Sequence, residues 1–225
     1  MIDTESNAKI KETTKLYVRY SVSTRCTKVI KDELKKLGIT YSLLPYGGIE
    51  FDDKVTYQEI NTFRGNLQKS GLDLLDVYES KLVDRIITTI IEVVHGFDEL
   101  PKLTYSEIIV NNLGESSVHY SKIFSDVVGM SIIQFIVLQK VDRIKELLLY
   151  EDIPLSEITT MLKYKNLEYL VAQFKKHTGL SPAYFKDLKN ERMEIAAKTH
   201  KIATQNNQPA RSTYQANPTP GTLWL

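Results

Sequence analysis

With 225 residues, 42% of them hydrophobic, and a formal net charge of +1, the chain has room for two small domains and no overall charge that demands nucleic acid. Its one cysteine, Cys26, excludes an intrachain disulfide framework, and no stretch reaches the roughly eighteen uninterrupted apolar residues of a membrane span. Residues 1–14 are polar and lack a signal-peptide core, so a flexible amino terminus and a cytoplasmic location are the simplest expectations.

From Lys15 the periodicity is mixed. Leu16, Val18 and Tyr20 alternate as on a strand, and Val29, Ile30, Leu34 and Leu37 recur at helical spacing before Gly38 closes the helix. Ile39 to Leu44 reads as extended, Gly47-Gly48 as a hairpin-like turn, and Ile49 to Phe51 as the returning strand. Tyr57 to Ser70 is a second helix with Ile60, Phe63 and Leu67 inward, followed by a short strand over Leu72 to Leu75. The order strand, helix, strand, strand, helix, strand predicts a ferredoxin-like α+β domain over residues 15–78. Together with Ser23-Thr24-Arg25-Cys26 at the first helix, that order resembles heavy-metal-associated domains, which hold a soft metal with two cysteines spaced C-x-x-C. Ser23 stands at the first cysteine position, so ligation by two sulfurs within one copy is excluded and neither a metal nor another cofactor is expected. Cys26 then has two readings: a thiolate favoured by the helix amino terminus, or a small buried hydrophobe.

Lys81 to His95 is a helix with too many apolar residues for one narrow stripe: Leu82, Ile86, Ile87, Ile90, Ile91 and Val94. It must be covered, and a core position in the following domain is favoured over a dimer interface. Beyond Gly96 and Pro101 the chain repeats at an offset of about fifty residues. Ser106-Glu107-Ile108 returns as Ser156-Glu157-Ile158, Phe124 as Phe174, Gly129 as Gly179, Ser131 as Ser181 and Phe135 as Phe185, without a gap. Each copy reads as a short helix, a turn, a second helix closed by the glycine and a third opened by the serine. Between the copies, Ile132 to Tyr150 is one long helix with Ile136, Val137, Val141, Ile144, Leu147 and Leu148 as its apolar stripe. The expected organisation is therefore an all-α double helix-turn-helix domain over 79–192 and a disordered tail over 193–225, rich in Gln, Asn and Pro.

Leu155-Ser156-Glu157-Ile158, followed by Gln173-Phe174-Lys175-Lys176-His177-Thr178-Gly179-Leu180-Ser181-Pro182-Ala183-Tyr184-Phe185, resembles the signature end of the AraC-type transcription regulators. Lys140 to Leu148 resembles that family's linker helix, and the likeness covers roughly residues 102 to 189. It implies double-stranded DNA as partner, with two recognition helices entering successive major-groove segments on one face. A helix of nineteen residues spans about 28 Å at about 1.5 Å per residue. That is the right order for readers about one DNA turn, roughly 34 Å, apart.

The candidate base readers are Ser116, Ser117, His119, Ser121 and Lys122 in the first copy, with Tyr120 and Phe124 buried behind them. In the second they are Asn166, Glu168, Tyr169, Ala172 and Gln173, backed by Leu170 and Phe174, with Lys175 and Lys176 as phosphate contacts. Asn and Gln suit adenine and Glu suits cytosine, although polar residues also populate helix faces that bind nothing. The chain departs from the family pattern at Val171-Ala172, usually serine and arginine, and at Ser125-Asp126, where the second copy has its two lysines. Between residues 102 and 189 about eleven basic residues face about ten acidic ones, so tight binding would call on a homodimer. No glycine-rich phosphate loop, HExxH helix or nucleophile elbow occurs, and an enzyme is not expected. The expected function is DNA-binding transcription regulation acting on the transcription machinery, with the first domain as a regulatory or dimerisation module. The alternative is a protein-interaction or metal-handling adaptor that no longer holds DNA tightly.

Overall fold

The computed structural model describes residues 15–52, 55–96, 107–109, 111, 117–151 and 153–206. β1 (Lys15–Arg19), α1 (Thr24–Lys36), β2 (Tyr41–Leu43), β3 (Gly48–Phe51), α2 (Tyr57–Gln68) and β4 (Asp73–Leu74) follow in the anticipated order. Their strands form one antiparallel sheet ordered β2-β3-β1-β4, with Leu16 opposite Ile49 and Val18 opposite Leu74. These are two interleaved β-α-β units, the ferredoxin-like arrangement. Caps written in the sequence start the helices. The Ser23 hydroxyl accepts from the Cys26 amide, and Thr56 and Glu59 form a reciprocal capping box. One sheet face, with Leu16, Val18, Ile49 and Phe51, packs on Ile30, Leu34, Phe63 and Leu67 of the two helices.

The expected Gly47-Gly48 turn sits one step earlier. Pro45–Gly47 forms a tight 3-10 turn with Tyr46 at φ 59° and Gly47 at φ 76°, and Gly48 already belongs to β3, opposite Tyr17. A Cβ at Gly48 would stand 2.9 Å from the Leu44 side chain and 3.1 Å from the Tyr17 ring, which is why only glycine fits.

The other sheet face is covered by α3 (Val77–His95), opened by Asp76 accepting from the Glu79 amide. The Tyr17 amide donates to the fully buried Ser80 hydroxyl at 3.1 Å, and the Tyr17 hydroxyl donates to Asp84 at 2.9 Å. Burial first and then Asp84 push the Tyr17 phenol well above its usual range. Arg19 pairs with Asp73 at 3.3 Å and Glu79 at 2.6 Å.

Then come α4 (Ser117–Val128), α5 (Ile132–Tyr150), α6 (Leu155–Met161), α7 (Leu167–Thr178) and α8 (Pro182–Asn206). The repeat is geometric as well as sequential. Gly129 and Gly179 both take φ 75°, closing α4 and α7, and Ser131 and Ser181 each accept an amide three residues on. Phe124 meets Phe135 edge to face at 5.5 Å, and Phe174 meets Phe185 in the same way at 5.2 Å. α5 serves both copies. Its Phe135 and Ile136 belong to the core holding α3 and α4, and its Val141, Ile144, Leu147 and Leu148 to the core holding α6 and α7. Val137, expected in the stripe, is only half-buried.

Two features depart from the sequence reading. Tyr17 and Leu75 share one core with α3, α4 and α5, so packing runs without a break across residue 79. α8 also continues to Asn206, well into the stretch expected to be disordered from residue 193. Met193, Ile195 and their neighbours are exposed there. Met193-Glu194-Ile195-Ala196-Ala197-Lys198 is made of good helix formers, so the helix persists on propensity after its apolar stripe ends. No single described helix is long and apolar enough to cross a membrane. α4 and α5 have the combined length, but they bend by 57° and bury their apolar faces.

Candidate nucleic-acid interface

In α7 the helical period puts Leu170 and Phe174 fully inside and leaves Glu168, Tyr169, Ala172, Lys175 and Lys176 exposed, with Gln173 half-buried beside them. The second set of candidate readers therefore shares one outward face. Lys175 and Lys176 lie in its last turn, where cations also suit the helix dipole. Asn166 is placed differently from the expectation. It is the N-cap of α7, with its side-chain oxygen accepting from the Tyr169 amide at 2.8 Å. Bidentate pairing with adenine uses the same oxygen, so a base contact by Asn166 would share it with the cap.

The sequence reading missed three cations. Lys163 and Lys165 are exposed in the turn leading into α7, with Tyr164 between them. Lys163 takes φ 49° at the end of α6, where the Tyr164 amide reaches back to the Thr159 carbonyl at 2.9 Å. Lys140 reaches over from α5, donating to the Leu162 carbonyl at 2.7 Å with its ammonium 5.1 Å from the Tyr164 ring centre. Burial, and then Lys163, push the Lys140 amine down to about 8. Burial, and then Tyr169, push the Tyr164 phenol up to about 12. The pattern Lys163-Tyr164-Lys165 directly before α7 is the signal that would have found two of the three.

The first copy is arranged otherwise. Tyr120, Ile123, Phe124 and Val127 of α4 are buried, His119 and Lys122 are exposed and Ser121 is half-buried. Ser117 opens the helix, and Ser116 lies outside the described residues. The amino-terminal sheet flanks this helix. The Tyr20 amide donates to the Asp126 carbonyl at 2.8 Å, and Tyr46 meets Phe135 edge to face at 5.0 Å. The nearly buried Gln139 amide donates to the Tyr46 hydroxyl at 3.2 Å. A cleft of about 480 Å³ beside this contact is lined by His119, Lys122 and Asp126 together with Arg19, Tyr20 and Glu79. His119 and Lys122 of the first set thus face the end of β1 and the start of α3, whereas the second set faces outward.

Just past the same end of β1, Ser23 and Cys26 place one hydroxyl beside one thiol. The Ser23 oxygen lies 3.1 Å from the Cys26 sulfur and holds its thiol below the usual range. Among the described residues no group of three or more His, Cys, Asp or Glu side chains could hold a metal ion.

Residues 109–187 match a family model described as a helix-turn-helix domain, and this segment is a helix-turn-helix domain of the AraC type. The match begins at residue 109, so it does not bear on the heavy-metal-associated resemblance of residues 15–78. No curated protein matches the chain. Among solved structures, the chain is similar to the C-terminal domain of AraT, a response regulator from Geobacillus stearothermophilus, at 28% identity and a TM-score of 0.42; the alignment covers 48% of this chain and 86% of that one. It is also similar to the DNA-binding domain of AdpA, a global transcriptional factor solved with a target DNA, at 19% identity and a TM-score of 0.42, covering 49% and 94%. A third is a DNA-binding transcriptional dual regulator from Escherichia coli K-12, at 15% identity and a TM-score of 0.41, covering 49% and 93%.

Proposed function

We propose that the chain is a DNA-binding transcription regulator in which α7 is the principal reader and α4 a second reader that approaches DNA with its first two turns. The observation carrying this reading is the outward face of α7. There Glu168, Tyr169, Ala172 and Gln173 can reach base edges, while Lys163 and Lys165 before the helix and Lys175 and Lys176 at its end bracket them with phosphate-binding cations. α4 contributes His119 and Lys122, beside the flanking sheet. The α+β layer is a regulatory module fastened to the first reader.

The test is binding of the full chain to genomic duplex fragments across a salt series. Each phosphate contact contributes a slope of about 0.9 log unit of affinity per tenfold change in salt. Lys175→Ala with Lys176→Ala should therefore flatten the slope by nearly two and weaken all duplexes alike. Gln173→Ala should instead change which sequences are preferred. Asn166→Ala should cost about 1 kcal/mol of stability through the lost cap, with little change in preference. Unaltered binding in both the lysine and Gln173 variants would favour the adaptor reading.

A further inference from the structure

The internal repeat supplies a comparison for the surface of α5. Ile133, Ile136 and Val137 in the first two turns of α5 correspond, at the fifty-residue offset, to Ala183, Lys186 and Asp187 of α8. The α8 residues are exposed and unremarkable for a wet helix. On α5 the same places are aliphatic, and Ile133 is 75% exposed. Ile136 also serves the core, but the fold does not require the aliphatic side chains of Ile133 and Val137, since the other copy does without them.

These side chains floor a groove of about 620 Å³ between α5 and the turn into α7, walled by Tyr164 and Tyr169. Its polarity runs one way. The aliphatic floor lies at 132–137, and Lys140, one turn further on, lines the same groove together with Lys163 and Lys165 of the turn into α7. The seven steps from Ile133 to Lys140 rise about 10 Å at about 1.5 Å each. The size and the mostly apolar lining with a few convergent polar groups are those of a small-molecule site. Lys140 is largely desolvated and lies close enough to Lys163 to feel its charge, an arrangement that an incoming anion relieves. Tyr164 lines the groove as well, and its hydroxyl is buried with no hydrogen-bond partner among the described residues.

We propose that this groove binds a small amphiphilic monoanion, an organic carboxylate with an apolar body about 10 Å long lying on Ile133, Ile136 and Val137 and its head at the lysine rim. The charge complementarity is with a single anionic head, and the groove is short for a protein segment, whose stable interfaces bury on the order of 1,000 Å² or more. The site does not depend on the DNA reading, although it shares Lys163, Lys165, Tyr169 and Gln173 with the face proposed for DNA.

Decanoate, well below its micelle concentration, is the probe, titrated into the full chain carrying labelled isoleucine methyl groups. Saturating shifts are expected at Ile133 and Ile136, with decyltrimethylammonium at least tenfold weaker and acetate without effect on Ile133. Ile133→Ala with Val137→Asp, which installs the residues of the other copy, should weaken decanoate at least tenfold without lowering the melting temperature appreciably, since neither side chain is in the core. Lys163→Gln should weaken it several-fold. Equal binding of the cationic and anionic probes, shifts scattered over remote isoleucines, or unchanged affinity in the double variant would overturn the proposal. So would Ile133 shifts that depend on protein concentration alone, which would assign the groove to a second copy of the chain.

Discussion

Tyr46 is where the amino-terminal layer grips the first helix-turn-helix, and its removal gives a worked expectation. Its ring stands edge-on to Phe135 at 5.0 Å, a pairing worth about 0.5–1.5 kcal/mol. Its hydroxyl accepts from Gln139, which is 7% exposed, so Tyr46→Phe leaves a buried amide donor without its acceptor at about 1–3 kcal/mol. Tyr46→Ala loses both, about 2–4 kcal/mol. Tyr46→Gly should be less damaging than the alanine variant, because φ 59° strains any side-chain-bearing residue by about 1–2 kcal/mol and glycine hardly at all. The reporter is the Tyr20 amide, which bonds across the junction to Asp126. Native-state hydrogen exchange at Tyr20 should accelerate about thirty-fold or more in Tyr46→Ala, since about 1.4 kcal/mol is tenfold. The Phe174 amide, in a helix with its own core, should change much less. Equal acceleration at the two positions, or none at Tyr20, would refute the idea that Tyr46 clamps the layer to this module.

Two further expectations concern the turn before α7. Lys163 holds φ 49°, and Lys163→Gly should remove strain of about 1–2 kcal/mol against a glycine entropy cost of about 0.5–1 kcal/mol. The net gain corresponds to a melting temperature about 1–3 °C higher for a chain of this size; a lower one would show that the lysine is not strained there. Lys140 has a folded pKa depressed to about 8 from the usual 10.5, so its charged form is disfavoured by folding. The sign follows: below pH 8 the fold carries this penalty in full, and it fades as pH rises from about 8 towards the unfolded value. Denaturant unfolding at pH 7.5 and 9.5 should show the parent chain gaining stability relative to Lys140→Met, with a pH-independent difference as the contrary result.

The parts of the fold that were legible in the sequence are those where the backbone imposes a residue. Gly129 and Gly179 mark left-handed turns and Ser131 and Ser181 the following caps, and each acts within three or four residues of where it is written. The face of α7 was legible for the same reason, because Leu170 and Phe174 fix its rotation. What was not legible acts at long range or twice over. Nothing near Tyr20 announces a bond to Asp126, and nothing near Tyr46 announces Gln139. Asn166 is polar and precedes a helix, which fits a base reader as well as a cap, and only coordinates separate the two. The extension of α8 past Arg192 left no stripe to read, since an exposed helix buries no face.

The missing cations of the first copy take on a different meaning once the layer is in place. Ser125 and Asp126 occupy the repeat positions of Lys175 and Lys176, which from sequence alone reads as weakened affinity for phosphate. In the fold, however, the Asp126 carbonyl receives the Tyr20 amide, and its side chain lines the cleft that Arg19 shares with His119 and Lys122. A lysine at 126 would bring a further cation into a cleft that already holds three basic side chains against Glu79. An aspartate there helps balance their charge. The Ser125 hydroxyl meanwhile turns back on its own helix, donating to the Ser121 carbonyl at 2.8 Å. The two copies therefore keep the same glycines, serines and phenylalanine pairs, which the backbone and core demand, and diverge where one helix end meets the α+β layer and the other is left exposed. The acid–lysine difference thus follows which helix end is docked against the α+β layer, and the exposed lysine pair is left on α7.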